Sequence, residues 1–190
     1  EYIPKRSNKL HIIVAASYQY LKNPIGLIKA LSLLSKRERE KINIDWYGKN
    51  DDKKRSVVFQ EASKTIKDNK LEDTIKLYPT TNNIANLYNK ADIVALFSRV
   101  EGLPNAILEG MMIGKPIIMT RVSDYSTLVD NSNGFLCEWN DIESIKNVLI
   151  AASILSEQKL LNMGDKSKEK AKCLFGISNI ANQWLSLINK

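Results

Sequence analysis

The sequence predicts an α/β fold: a Rossmann-like, doubly wound parallel sheet of about six strands, covered by helices and followed by C-terminal helices. The first observation is that short apolar runs alternate with segments of helical periodicity along most of the chain. This alternation is typical of βαβ units, whose right-handed crossovers place helices on both faces of a parallel sheet. The second observation is that residues 157–190 contain helical patterns and no strand pattern. We therefore expect a single domain over residues 1–190 that ends in helices.

Each predicted strand is a short apolar run with turn residues at its ends, as expected for a strand buried on both faces. The runs lie at residues 10–16, 42–47, 74–78, 92–97, 116–120 and 135–137. Gly48 and Pro79 end the second and third runs, and the Asn133-Gly134 pair predicts a turn before the last one.

Each predicted helix has apolar residues three or four positions apart, which gives it one face for the core. The helical segments are 24–34, 51–70, 83–89, 104–113, 142–155, 158–175 and 178–189. Pro24 suits a first helical turn, and Asp141 suits the capping position before residue 142. In the second segment the predicted inner face comprises Val57, Val58, Ala62 and Ile66.

Composition excludes several classes of protein. The 190 residues are 44% hydrophobic with a net charge of +7, and no apolar run reaches the roughly 18 residues of a membrane span. The charge indicates either a lysine-rich solvated surface or affinity for an anionic membrane. The sequence contains no basic motif with interleaved aromatic residues, which would indicate nucleic-acid binding. Cys137 and Cys173 lack metal-ligand spacing, so we expect a reduced, cytoplasmic protein. The first residues, with Pro4 before Lys5 and Arg6, resemble a linker, so we expect the sequence to begin within one.

The segment 99–120 organises the chain around a short helix between two strands. Pro104 suits the first helical position, where a missing N–H costs nothing. Gly114 suits the left-handed residue that ends a helix. Glu101 precedes this helix and Glu109 lies within it, with seven residues between them.

The start of this helix is suited to an anionic ligand. The N–H groups of Asn105 and Ala106 have no partner within the helix, and the helix dipole is positive there. Gly102 lets a ligand approach the backbone closely. Helical spacing turns Glu109 away from the centre of the apolar face, toward the strand end where open parallel sheets bind ligands. Because a carboxylate accepts hydrogen bonds from sugar hydroxyls, the expected ligand combines phosphate and sugar.

The run EGLPNAILEG, residues 101–110, and its continuation GKPII, residues 114–118, resemble the Glu-seven-Glu motif of group 1 (family 4) glycosyltransferases. The resemblance implies the donor-binding half of a two-domain GT-B enzyme, which transfers a sugar from a nucleotide-diphosphate sugar with retention and without an essential metal. It implies no cofactor besides that donor substrate, and an acceptor-binding N-terminal domain, absent from this chain, as partner. It also suggests bacterial surface polysaccharide or glycolipid synthesis, with the inner membrane surface or a lipid-linked acceptor as a further partner.

The resemblance also assigns roles to residues. Lys22 matches the lysine of the family's phosphate loop, so Lys22 and Glu101 are the expected catalytic residues: Lys22 stabilises the departing diphosphate, and Glu101 orients the sugar. Glu109 is expected to hold the ribose. The expected nucleotide-sugar-binding residues are Ser17, Lys22, Tyr78, Arg99, Glu101, Gly102, Leu103, Pro104, Asn105, Ala106 and Glu109.

Two departures from the family pattern bear on activity. Ser17 stands where the family has an arginine, and a serine can hydrogen-bond a phosphate but cannot neutralise it. Arg99 is a candidate to compensate. Residues 124–129 lack the usual Gly-Gly and Pro-Glu of the family's loop after the fifth strand. Tyr78 ends the third strand, where the family's loop approaches the nucleotide base.

Two other functions stay open at this stage. One is a sugar-nucleotide epimerase of related two-domain fold, a class that lacks the Glu-seven-Glu run. The other is a non-catalytic nucleotide-sugar-binding module, which Ser17 and the missing partner domain motivate. Among smaller candidates, His11 is expected to be structural, and Trp46, Tyr47 and Trp184 are expected to be packing residues.

Overall fold

The sheet of the computed structural model, which describes residues 9–49 and 57–188, consists of parallel strands in the order β3-β2-β1-β4-β5-β6. The strands are β1 (Leu10–Ala15), β2 (Ile42–Tyr47), β3 (Ile75–Tyr78), β4 (Ile93–Leu96), β5 (Ile117–Thr120) and β6 (Gly134–Cys137). This architecture confirms the predicted Rossmann-like fold. Pro4, Lys5, Arg6 and residues 51–56 of the second predicted helix lie outside the described residues.

The helices cover both faces of the sheet and follow it at the C-terminus. They are α1 (Pro24–Ser32), α2 (Lys36–Arg39), α3 (Val57–Asp68), α4 (Ile84–Lys90), α5 (Asn105–Ile113), α6 (Tyr125–Leu128), α7 (Ile142–Ser153), α8 (Glu157–Phe175) and α9 (Ile177–Ile188). A single 3-10 turn, Tyr20–Lys22, precedes α1. No helix within residues 9–49 and 57–188 is long and apolar enough to cross a membrane.

Successive residues of a strand point to opposite faces, and both faces of this sheet are buried. In β1, Ile12 and Val14 belong to the core under α1, α3 and α7. Ile13 belongs to the opposite core, under α4, α5, α6 and α8. All three side chains are fully buried, and burying each one stabilises the fold by roughly 1.5–3 kcal/mol. The continuous apolar character of the run is thus explained by its central place in the sheet.

The structure corrects three details of the predicted helices. Pro104 is the capping residue of α5 rather than its first helical residue. Val57 is 68% exposed, because Val58, Ala62 and Ile66 are four residues apart and form the buried stripe, from which Val57 is turned by about 100°. The loop predicted at residues 124–129 contains α6, which is too short to show a helical period. Asp141 caps α7 as predicted, and its side chain accepts from the Ser144 N–H.

The strands β1 to β3 are added toward one edge of the sheet and β4 to β6 toward the other, so β1 and β4 are parallel neighbours although β2 and β3 lie between them in sequence. Such a switch point leaves a crevice outside the carboxyl ends of the two strands. Helix α5 forms one wall of it and lies very close to β4: a Cβ on Gly110 would come within 2.8 Å of the Val94 Cβ. Gly114 ends α5 with φ of 87°, as predicted. The packing of α5 therefore fixes where its first turn faces the crevice.

Candidate functional site

The loops after β1 and β4 meet at the carboxyl edge of the sheet. The Arg99 N–H donates to the Leu21 carbonyl oxygen over 2.8 Å, which joins the two loops through their backbones. Each loop carries one of the two residues predicted to be catalytic, Lys22 and Glu101. The switch point thus brings together segments that lie far apart in sequence.

Lys22 and Glu101 form an ion pair. The Lys22 Nζ lies 2.7 Å from the Glu101 Oε1, and the Ser98 hydroxyl donates to the same oxygen over 2.5 Å. The two side chains are 24% and 10% exposed. Because removing either charge would leave the other partly buried and uncompensated, each residue holds the other in place. The pair presents a cation and a carboxylate side by side, which suits a ligand with both phosphate and hydroxyl groups.

Asn23 is a residue of this site that sequence reasoning missed. It is 3% exposed and has a left-handed backbone, with φ of 59°. Its side-chain Nδ2 donates to the Trp139 carbonyl oxygen after β6, over 2.9 Å. The loop that carries Lys22 is therefore tied to the β6–α7 connection. The available sequence signal was an asparagine before a proline, since asparagine tolerates positive φ better than most residues do.

The loop before α5 is ordered by its own hydrogen bonds. The Asn105 N–H, predicted to be open to a ligand, donates to the Leu103 carbonyl oxygen over 2.9 Å. The Gly102 carbonyl oxygen accepts from the Ser123 hydroxyl over 2.5 Å, and Ser123 itself has a positive φ of 55°. A Cβ on Gly102 would meet no described protein atom within 4 Å. Internal packing therefore does not require a glycine there, and a close ligand approach stays a prediction.

A pocket of about 350 Å³, here called the edge pocket, opens at the carboxyl ends of β1 and β2 beside α5. It brings together four of the predicted site residues, Ser17, Asn105, Ala106 and Glu109. Its other lining residues come from the ends of β1 and β2, from the segment between β3 and α4, and from α4 itself: Ala15, Ala16, Tyr47, Gly48, Lys49, Thr80, Thr81, Ile84 and Tyr88. Lys49 is a second residue that sequence reasoning missed, and it adds a cation to the pocket that contains Ser17.

Tyr78 and Arg99 each contact an aromatic side chain. The Tyr78 ring stacks on Tyr47, with centroids 4.8 Å apart, and Tyr47 rather than Tyr78 lines the edge pocket. Tyr47 also packs against the core, as predicted. The Arg99 guanidinium lies over the Trp139 ring, 5.1 Å from its centroid. A base contact by Tyr78 and a phosphate contact by Arg99 stay predictions.

The remaining candidates, His11, Trp46 and Trp184, lie outside the crevice. His11 Nε2 lies 2.8 Å from Asp45 Oδ2, within the body of the sheet. Trp46 is fully buried, and its ring N–H donates to the Ala16 carbonyl oxygen. Trp184 was expected to pack, but it is 62% exposed on α9. Within residues 9–49 and 57–188, no group of three or more His, Cys, Asp or Glu side chains is arranged to hold a metal ion.

Comparison with known proteins finds a family model and several relatives that match this chain. A model of the family described as glycosyl transferases group 1 matches residues 2–170. An uncharacterized glycosyltransferase of Haemophilus influenzae is 34% identical over 120 residues, which are 62% of this chain and 33% of that protein. The UDP-Gal:alpha-D-GlcNAc-diphosphoundecaprenol alpha-1,3-galactosyltransferase of Escherichia coli is 36% identical over 101 residues, which are 53% of this chain and 25% of that protein.

The fold is also found in solved structures. Anabaena Alr3699/HepE in complex with UDP and glucose matches with a TM-score of 0.79 at 21% identity, over 96% of this chain and 48% of that one. At this identity the likeness concerns the fold. The chain spans about half of that structure, and 33% and 25% of the two curated relatives.

Proposed function

The chain belongs to the group 1 glycosyl transferases, and from that premise we propose that it is the donor-binding half of a two-domain GT-B enzyme. In this proposal a sugar passes from a nucleotide-diphosphate sugar to an acceptor with retention of anomeric configuration. The observation that carries the proposal is the 2.7 Å Lys22–Glu101 pair at the same sheet edge as Glu109. Lys22 supplies a cation for the diphosphate, and Glu101 and Glu109 supply two carboxylates for hydroxyl groups.

The reaction breaks the bond between the sugar's anomeric carbon and an oxygen of the diphosphate, and the same carbon forms a bond to the acceptor's hydroxyl oxygen, whose proton passes to the departing diphosphate or to water. The diphosphate oxygen keeps the bonding electron pair, so negative charge grows on the leaving group, and fixed positive groups lower the barrier. Lys22 and the turn formed by residues 102–106 are the proposed stabilisers. When the donor binds, the Lys22 ammonium group moves from Glu101 to the diphosphate. Glu101 then accepts hydrogen bonds from the sugar hydroxyls.

A diphosphate carries more than one negative charge, so a second cation would stabilise it further, and the family's arginine position is Ser17 here. We propose Lys49 for this role, because Lys49 and Ser17 line the same edge pocket. Arg99 is the alternative, but its guanidinium lies over the Trp139 ring.

The donor and partners follow from the same proposal. The names of the Escherichia coli relative and of the Anabaena complex contain UDP, which supports a uridine diphosphate sugar as the first donor to test. A lipid-linked acceptor for surface polysaccharide or glycolipid synthesis, on the cytoplasmic side of a membrane, is supported by the acceptor named for the Escherichia coli relative. The proposal includes an acceptor-binding domain N-terminal to this one, against which α9 would pack through its exposed Ile177, Trp184 and Ile188.

The second candidate function is a non-catalytic nucleotide-sugar-binding module, which Ser17 favours. The test incubates the complete protein with UDP-sugars, with and without a polyprenyl-diphosphate-sugar acceptor. UDP release that depends on the acceptor supports transfer. Tight binding without release supports the binding module instead, and an epimerised free nucleotide sugar would support the epimerase.

A further inference from the structure

Tyr88 has a buried hydroxyl group that the fold does not use. Its side chain is fully buried on α4, in the core between α4, α5 and the sheet. Among the described residues, its hydroxyl has no hydrogen-bond partner. Buried polar groups without a partner are rare in folded proteins because they lose their bonds to water and gain none in return. The position therefore suggests a partner that becomes available to the hydroxyl when a ligand binds.

The surroundings of Tyr88 identify that partner. Tyr88 lines the edge pocket together with Glu109 of the neighbouring helix α5. Burial raises the pKa of Tyr88 well above its usual value, and the negative charge of Glu109 raises it further. A tyrosine is protonated at neutral pH even with its usual pKa, so this phenol acts as a donor toward a carboxylate. Glu109 is exposed, so in the ligand-free protein water competes for its oxygens.

We propose that Tyr88 is a positioning residue for Glu109 when a nucleotide occupies the edge pocket. The nucleotide displaces water from Glu109, and the carboxylate turns toward α4 to accept the Tyr88 O–H. One carboxylate oxygen is then held by the phenol, and the carboxylate is oriented to accept hydrogen bonds from the ribose hydroxyls. This inference rests on the proposed function, since it takes Glu109 as the ribose carboxylate.

The proposal predicts an effect confined to ribose recognition. Tyr88→Phe removes only the O–H, and a hydrogen bond to a charged acceptor made only in the bound state contributes about tenfold in affinity, or about 1.4 kcal/mol. Deoxynucleotides that lack the hydroxyl bound by Glu109 should lose this benefit in the parent protein as well. Tyr88→Phe should therefore lower the affinity for the ribonucleotide about tenfold and change the affinity for the matching deoxynucleotide less than about twofold.

The experiment is calorimetry on the 190-residue chain with UDP, GDP and ADP, followed by the 2′-deoxy and 3′-deoxy forms of the one that binds most tightly. A double-mutant cycle adds Glu109→Gln, whose effect should not be additive with that of Tyr88→Phe. Equal affinity of parent and Tyr88→Phe for the ribonucleotide would overturn the proposal. So would an equal loss for the ribonucleotide and both deoxy forms, or additive effects in the cycle.

Tyr18→Phe is the matched control for stability. The Tyr18 hydroxyl lies 2.9 and 2.7 Å from the carbonyl oxygens of Trp46 and Tyr78, which share its one proton. Its loss should lower the Tm, whereas Tyr88→Phe should not. A Tyr88→Phe variant that is destabilised as much as Tyr18→Phe would mean that the Tyr88 hydroxyl serves the fold, and would also overturn the proposal. If the parent chain binds none of the three nucleotides, the proposed function fails together with this inference.

Discussion

Lys22 is the single residue on which the proposed chemistry depends most. Its ammonium group is the cation nearest to Glu101, at 2.7 Å. We expect Lys22→Ala to lower the kcat of the complete protein by about 100-fold or more, as expected when a charged stabiliser of a leaving group is lost. Lys49→Ala should lower donor affinity and turnover less strongly. Steady-state kinetics with an identified donor and acceptor would measure both. An unchanged kcat in Lys22→Ala would mean that the diphosphate is held by other groups.

The two glutamates should separate binding from chemistry. Glu109 is proposed to hold the ribose equally in the ground and transition states. Glu109→Gln should therefore raise the KM for the donor and lower the affinity for the bare nucleoside diphosphate. Glu101 is proposed to contact the sugar, which gains positive charge during transfer. Glu101→Gln should therefore lower kcat more than donor affinity. Kinetics on the complete protein and calorimetry on this chain test the pair. Parent-like nucleoside diphosphate binding by Glu109→Gln would refute the ribose role.

Lys115 should make stability depend on pH. This side chain is 1% exposed and donates to the carbonyl oxygens of Asn89 and Ala91 at the end of α4. Burial lowers the pKa of Lys115 to about 8 from its usual 10.5. Between these values the unfolded chain holds the proton and the folded chain releases it, so the free energy of unfolding rises with pH, by at most about 1.4 kcal/mol per unit. Below pH 8 both states are protonated, and this contribution is constant.

The measurement is urea unfolding of the parent and of Lys115→Met at intervals from pH 7 to 10. The free energy of unfolding of the parent relative to the variant should rise above pH 8. Parallel profiles across this range would show that the folded and unfolded states bind the Lys115 proton equally.

At the level of elements, two glycines near α5 should respond differently to the same added methyl group. A Cβ on Gly110 would come within 2.8 Å of the Val94 Cβ on β4, so Gly110→Ala should destabilise the fold by about 1–3 kcal/mol. A Cβ on Gly102 would meet no described atom within 4 Å, so Gly102→Ala should leave stability within about 0.5 kcal/mol. If a ligand approaches this backbone, Gly102→Ala should still weaken nucleoside diphosphate binding by about tenfold.

Urea unfolding and calorimetry on the two variants provide the comparison. Gly102→Ala with unchanged stability and unchanged binding would show that no ligand contacts this turn. A loss of stability in Gly102→Ala, or none in Gly110→Ala, would contradict the packing of α5.

At the level of the whole molecule, we expect the 190-residue chain to fold alone but not to transfer sugar. Its sheet is buried on both faces by its own helices, so the core needs no second domain. The edge pocket is open on one side, and the proposed acceptor would bind to a domain outside this chain. Unfolding should be cooperative, and a coupled assay for UDP release should detect no acceptor-dependent turnover. Sugar transfer by this chain alone, under conditions where the complete protein is active, would contradict the prediction.

The sequence by itself determined most of the elements and the motif around α5. Short apolar runs between helical segments predict the strands of a parallel sheet, and the observed bounds of β2 equal the predicted 42–47. The spacing of Glu101 and Glu109 around a glycine-ended helix was also a local property of the chain. Local steric and hydrogen-bonding preferences act over a few residues, so they can be recognised without knowing what packs against them.

Tertiary structure decided what these elements bring together. The Lys22–Glu101 pair joins residues 79 positions apart, and the Asn23–Trp139 hydrogen bond spans 116 positions. The Tyr88 hydroxyl, which has no hydrogen-bond partner in the described part of the chain, and the place of Lys49 in the edge pocket had no sequence signal of their own. Such contacts depend on which strands become neighbours and how closely helices pack on them. That outcome is set by the burial of side chains from many segments at once, whereas a sequence pattern reports only on one segment at a time.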